Sequence, residues 1–257
     1  MTRPSRGAIA VVLAAVLGAA SVVQAEPANP RYPAMAPIAD YRMASPAAEI
    51  ALARSAAPSS VSTDAGVLVL GDHAYETAAP GKNGFVCMVQ RAWASGLDDA
   101  EFWNPKERAP ICFNAAAARS VLPAYLERTR WVLAGATRAE IRARTRAAVA
   151  AGRYAAPEIG AMSFMLSRLG YLSDDAGGPW HPHLMLFLPG AAAAPATWGA
   201  NLPGSPVLGA SGGALDPVTV IFIPVRRWSD GTPDAAASPA GQAMNMVAPP
   251  VPAAAPR

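Results

Sequence analysis

Two cysteines, three histidines and two lysines are all that 257 residues contain of those types. With Cys87 and Cys112 alone, the chain can close one disulfide at most. It also lacks an excess of either charge. The formal net charge is +3, but Arg3 and Arg6 lie in the first 25 residues, which hold no acid, and the remainder carries 19 basic against 18 acidic residues. Such a balance excludes nucleic-acid or polyanion binding by the surface as a whole, because that binding depends on neutralising phosphates and releasing counterions. Beyond residue 25 no apolar run approaches the roughly 20 residues of a membrane-crossing helix, so an integral membrane protein is not expected. No repeat at solenoid or propeller spacing is visible either.

What stands at the start is ordered like an export signal. Arg3 and Arg6 precede an apolar stretch from Ala8 to Ala20, and Val23-Gln24-Ala25 comes before Glu26. This is the charged, apolar, small-residue order of a secretory leader, with cleavage expected after Ala25. The apolar stretch is short for a bilayer span. No paired arginines precede it, which points to the general export route, and no cysteine adjoins the cleavage site for lipid attachment. The expectation is a periplasmic or secreted protein of 232 residues, not integral to the membrane, with room for one domain or two small ones.

Residues 26–45 hold Pro27, Pro30, Pro33 and Pro37 among alanines, which predicts an extended lead-in. Ser45-Pro46 then predicts a helix to about Ala56, with serine as N-cap and proline in the first turn. Val67–Leu70, Ala74–Thr77 and Phe85–Val89, separated by Gly71-Asp72 and by Pro80–Gly84, read as a three-strand antiparallel meander. Asn114 can cap a helix that Pro123 interrupts or restarts and that runs to Gly135. Thr137 and Glu140 form a capping box for a second helix ending at Gly152. Together these predict an inserted, Arg-rich helical hairpin. His183–Leu188 and Val218–Ile223 are near-continuous apolar runs, expected as central strands buried on both faces. Residues 231–257 form an Ala/Pro-rich tail without the apolar content to order itself. The fold expected is α+β, with a mainly antiparallel sheet in a single domain over residues 46–230.

Five strings are more specific than their surroundings: Asn83–Cys87, Phe102–Lys106, Ala109–Asn114, Trp180–Met185 and Trp228–Thr232. Over the span from Glu49 to Thr232 the chain resembles a group of exported bacterial proteins of unknown function. That resemblance implies an exported, stand-alone protein and brings no activity with it.

The chemistry-bearing candidates are few. An even cysteine count in an exported chain reads first as a Cys87–Cys112 disulfide; the rival is a catalytic thiolate served by a histidine, which an oxidising compartment opposes. In His181-Pro182-His183 an extended backbone sends both imidazoles to one face, as a divalent metal needs. A catalytic centre would require a third ligand, for which His73, Asp72, Asp174 and Asp175 are the candidates, and an open position for water. The plainer alternative makes His181 a turn residue and His183 a hydrogen-bonded strand histidine.

Gly209-Ala210-Ser211-Gly212-Gly213 matches a serine-hydrolase pattern, but no helix can follow before the next strand, so a flexible loop is expected. Arg138, Arg142 and Arg146 recur every four residues and line one helix face. They offer either a docking surface for an anionic envelope component or an ordinary solvated face. The tryptophans are chiefly packing residues, with Trp180, Trp198 and Trp228 close to the loop-rich C-terminal half. These residues favour an exported protein that binds a small ligand or envelope partner, the alternative being a metal-dependent hydrolase-like enzyme using His181 and His183.

Overall fold

A computed structural model describes residues 31–174, 180–190, 195–211 and 218–235. Its strands are β1 (Gly66–Leu70), β2 (Tyr75–Ala79), β3 (Val86–Gln90), β4 (Ala109–Phe113), β5 (Met162–Met165), β6 (His183–Pro189), β7 (Leu208–Ser211) and β8 (Val218–Pro224). They form one sheet in the order β2-β1-β3-β4-β5-β6-β8-β7. Every neighbouring pair is antiparallel except β1 and β3, which run parallel. The architecture is therefore α+β with a mostly antiparallel sheet.

The first three strands depart from the expected meander. β1 and β2 form a hairpin, but β3 lies on the far side of β1 and parallel to it. The physical reason is burial. β2 carries exposed Glu76, Thr77 and Ala78 and suits a sheet edge, whereas β1 and β3 are apolar and belong in the interior. The chain crosses the start of β1 to get there, with the Lys82 amide donating to Asp64 O and the Gly66 amide to Phe85 O. Gly81 passes so close to the Gly66 backbone that any Cβ there would collide with it.

The described helices are α1 (Ile38–Tyr41), α2 (Pro46–Arg54), α3 (Ser59–Ser62), α4 (Ala115–Ser120), α5 (Leu122–Leu133) and α6 (Arg138–Ala150), of which α2, α4 and α6 begin at a side-chain cap. Ser45 accepts from the Ala48 amide ahead of α2, and Asn114 from the Ala117 amide ahead of α4. The capping box of Thr137 and Glu140 opens α6; replacing such a cap with alanine costs about 1 kcal/mol.

Strand alternation divides the core. Met88, Ile111, Phe113, Met185 and Phe187 pack with Ala117, Val121 and Leu122 of the α4–α5 region on one face. Val67, Cys87, Val89 and Cys112 pack with Leu52 and Ala53 of α2 on the other. Coverage of both faces explains why β4 is buried at all five positions. Truncating Phe113, which is fully buried, to alanine would cost about 3–5 kcal/mol. β6 and β8 are interior strands, but on β6 burial alternates: His183, Met185 and Phe187 are buried and the residues between them only partly so. The burial on both faces expected of β6 and β8 is found on neither, since β8 is fully buried only at Thr219 and Ile221, but β4 shows it.

A third cluster gathers Tyr41, Trp93, Phe102, Trp103, Val132 and Ile141. Tyr41 is fully buried and donates its hydroxyl to Trp103 O at 2.8 Å. The lead-in therefore packs against the rest of the molecule from at least residue 31.

Candidate functional site

The pairing registers bring unlike segments to one end of the sheet. Leu70 pairs with Tyr75, Gln90 with Ala109, Met165 with His183, and His183 with Pro224. Residues 71–74, 91–108, 166–174, 180–182 and 225–235 consequently lie along that end. Three of the five distinctive strings, Phe102–Lys106, the start of Trp180–Met185, and Trp228–Thr232, fall at this end. So does most of the buried charge.

Beneath it sits a buried ion pair. Arg91 is fully buried, and its guanidinium donates to Glu49 Oε1 at 2.9 Å, to Tyr41 O at 2.7 Å and to Val89 O. Arg108 donates to the carbonyls of Asp40 and Arg42, which fastens the lead-in here. Burial and the Arg91 charge lower its guanidinium to about 10, still cationic at neutral pH. Glu107 is buried as well, and burial, then the charges of Asp99 and Glu101, raise its carboxyl well above the ordinary glutamate value.

Asp174 belongs to this middle group. It accepts from the hydroxyls of Tyr171 and Tyr32 and from Lys106 Nζ, while its amide donates to Glu101. The Tyr171 and Tyr32 hydroxyls, with Lys106 beyond them, hold its carboxyl well below the usual carboxylate range. With these partners Asp174 is committed beside β4, where Arg108 and Tyr171 form a bridge. Asp175 lies outside the described residues.

The histidines occupy the β6 side. His183 is 4% exposed, and Trp180 meets its ring edge-on at 5.2 Å between centroids, with Phe222 at 5.7 Å. Its Nδ1 lies 2.9 Å from His181 O. A carbonyl can only accept, so Nδ1 carries the proton. Burial lowers the imidazole to about 4, leaving it neutral. His181 is partly exposed and holds Asp234 Oδ2 at 2.7 Å through Nδ1. His73 stands exposed on the β1–β2 turn. Four strand spacings separate β1 from β6, about 19 Å, so His73 is no third ligand for this pair. Asp72 is paired with Arg42 on the same turn. Among the described residues no group of three His, Cys, Asp or Glu side chains is arranged to hold a metal ion.

The remaining candidates resolve simply. Cys87 and Cys112 stand opposite each other on β3 and β4, fully buried and at disulfide distance. Ser211 ends edge strand β7, paired with Thr219, so Gly209–Ser211 belong to a strand rather than to the expected flexible loop; residues 212–217 lie outside the described residues. The arginine series is not a uniform outward face. Arg138 is buried, lies over the Phe102 ring at 5.0 Å and donates to the carbonyls of Leu97 and Asp99. Arg142 donates to Leu97 O and Asp98. Of the three, only Arg146 is exposed. A helix of period 3.6 set against the 97–99 loop turns the first two residues of the series toward that loop's carbonyls.

Sequence reasoning missed Asp234, because it falls within the span read as a tail, and missed Glu49, Arg91 and Glu101, whose spacing carries no pattern. The Trp228–Thr232 string, ending two residues before Asp234, was the available signal. Comparison with protein-family models, with curated proteins and with solved structures finds nothing that matches this chain.

Proposed function

We propose that the chain is an exported protein of the bacterial envelope that binds a small ligand or an envelope partner at the polar end of its sheet. The observation that carries this reading is a partly exposed imidazole, His181, whose Nδ1 is held by Asp234 where the Trp180–His183 segment meets residues 225–234 at that end. The leader-like start and the Cys87–Cys112 pair support export, since disulfides persist in oxidising compartments. Distinctive residues gathered on loops at one end of a rigid sheet are the usual form of a recognition site. The test is native mass spectrometry of the mature protein purified from the periplasm, compared with the His181→Gln variant. A small molecule retained by the first and absent from the second supports the reading. A ligand-free spectrum, together with no thermal stabilisation by any compound of a metabolite set, refutes it.

A metal-dependent hydrolase acting through His181 and His183 is the second reading. One observation favours it: both rings have Nδ1 engaged by an acceptor, as ligating imidazoles do, which leaves Nε2 for a metal. Against it stands the absence of a third protein ligand among the described residues. Elemental analysis of the purified protein decides, with a stoichiometric transition metal lost in His183→Ala as the supporting result.

A further inference from the structure

We infer that Asn201 is an edge guard: its side chain occupies the hydrogen-bonding positions on β7 that a second copy of this chain would take, and so holds the protein against strand-to-strand self-association. The inference goes beyond the binding reading and does not depend on it. β7 is the last strand of the sheet, and among the described residues β8 is its sole strand neighbour. Which of its groups point outward follows from the register. The Phe187 amide donates to Ala161 O, so Met162 and Leu186 form a non-hydrogen-bonded pair and Leu186 turns its own groups to Ile221 of β8. Ile221 is thereby spent on β6, and Gly209, opposite it on β7, directs its amide and carbonyl away from β8.

Those outward groups are taken by the preceding loop. The Gly209 amide donates to Asn201 Oδ1 at 3.1 Å, and Asn201 Nδ2 donates to Gly209 O at 2.8 Å. Two residues earlier, Val207 O accepts from the Asn201 amide at 3.0 Å and the Val207 amide donates to Ser205 Oγ at 3.1 Å. One side-chain amide thus supplies the donor and the acceptor that a neighbouring strand would offer Gly209. The position is a demanding one. Asn201 has φ of 61° and, among the described residues, is the only one other than glycine with a positive φ. Glycine would make that turn without strain, but it has no side chain to lay along the strand.

The two edges of the sheet are protected differently. β2 carries exposed Glu76, and its pairing with β1 shifts register at Val67/Leu68, both devices that discourage a further strand. Leu208, Gly209 and Ala210 of β7 carry no charge, so the loop is what stands between this edge and another chain. A second copy fits because the edge is self-complementary: with Gly209 on a twofold axis, two antiparallel β7 strands would exchange both Gly209 bonds.

The deciding experiment compares the mature protein with Asn201→Gly, which removes the side-chain amide and leaves the φ of 61° to a residue that adopts it freely. Mass is read by light scattering over a concentration series, and protection of the Gly209 amide by hydrogen exchange. Wild type should keep a protected Gly209 amide and one mass throughout. In dilute Asn201→Gly that amide should exchange at least about tenfold faster, and at high concentration the mass should rise while protection returns. Adding Gly209→Pro deletes the outward donor, a change that an edge strand accepts where the N–H faces outward, and should restore the wild-type mass. Circular dichroism reports whether the sheet survives. Ser205→Ala, which frees only the Val207 amide, carries the same test through Val207 exchange if the loop does not tolerate the loss of Asn201. Unchanged Gly209 exchange in Asn201→Gly, faster exchange with no gain in mass at any concentration, or association that persists with Gly209→Pro each overturns the guard.

Discussion

The Arg91→Met variant tests how the polar end of the sheet is held together. Methionine keeps most of the apolar stem, so the change removes the guanidinium with little loss of packing. Three bonds disappear, to Tyr41 O, to Val89 O and to Glu49 Oε1. Glu49, 4% exposed, would keep only the Leu70 amide at 3.1 Å on that oxygen. Removing one partner of a buried ion pair typically costs about 3–5 kcal/mol, because the other charge stays desolvated. For a domain of this size that lowers Tm by about 6–20 °C. Urea unfolding followed by circular dichroism should show the midpoint falling with an unchanged slope. The Arg91→Met/Glu49→Leu double variant, having no orphaned charge, should be more stable than Arg91→Met alone. A loss below about 1 kcal/mol in the single variant, or a double variant as unstable as the sum of the singles, would refute this account. Since Tyr41 O is one of the lost partners, the variant should also become sensitive to proteolysis near residue 40.

Thiol counting on the unreduced, unfolded protein should find no free thiol, and reducing the Cys87–Cys112 bond, with its separation of 25 residues, should cost about 3.5 kcal/mol in the chain-entropy model; two free thiols would refute the pairing. Arg138→Ala should destabilise by about 1–3 kcal/mol through the lost carbonyl bonds and Phe102 contact, while Arg146→Ala stays within about 0.5 kcal/mol. If Arg146 alone carried affinity for anionic vesicles, its replacement would abolish a salt-sensitive binding that Arg138→Lys leaves in place. Folded His183 titrates near 4 against an ordinary 6.5, a depressed value. Above pH 6.5 both states are neutral and the group is silent. Between about 6.5 and 4 the unfolded chain takes up the proton first, so stability falls by on the order of 3 kcal/mol and then levels. His183→Gln should flatten that part of the stability profile, and an unchanged slope there would show His183 to be solvated.

Local chemistry made parts of this fold legible in the amino-acid string. Ser45, Asn114 and the Thr137–Glu140 box mark helix starts because a cap acts across two or three residues, and no distant contact is needed to recognise it. The apolar runs of β6 and β8 read as interior strands for the same kind of reason, since their composition alone suits neither an edge nor a loop. The sequence also placed His181 and His183 together, two residues apart.

Tertiary structure decided the rest. Whether β3 pairs with β2 or with β1 depends on which strand can bear exposure at the edge, a comparison among whole strands that no local window contains. Arg138 and Arg142 read as a surface stripe until the 97–99 loop is set against them, when their guanidinium groups turn to its carbonyls. Asp234 reaches His181 across 53 positions, and Asp174 meets Tyr32 across 142. Hydrogen bonds of that separation leave no spacing in the chain, because it is sheet registry rather than sequence distance that brings the groups within reach.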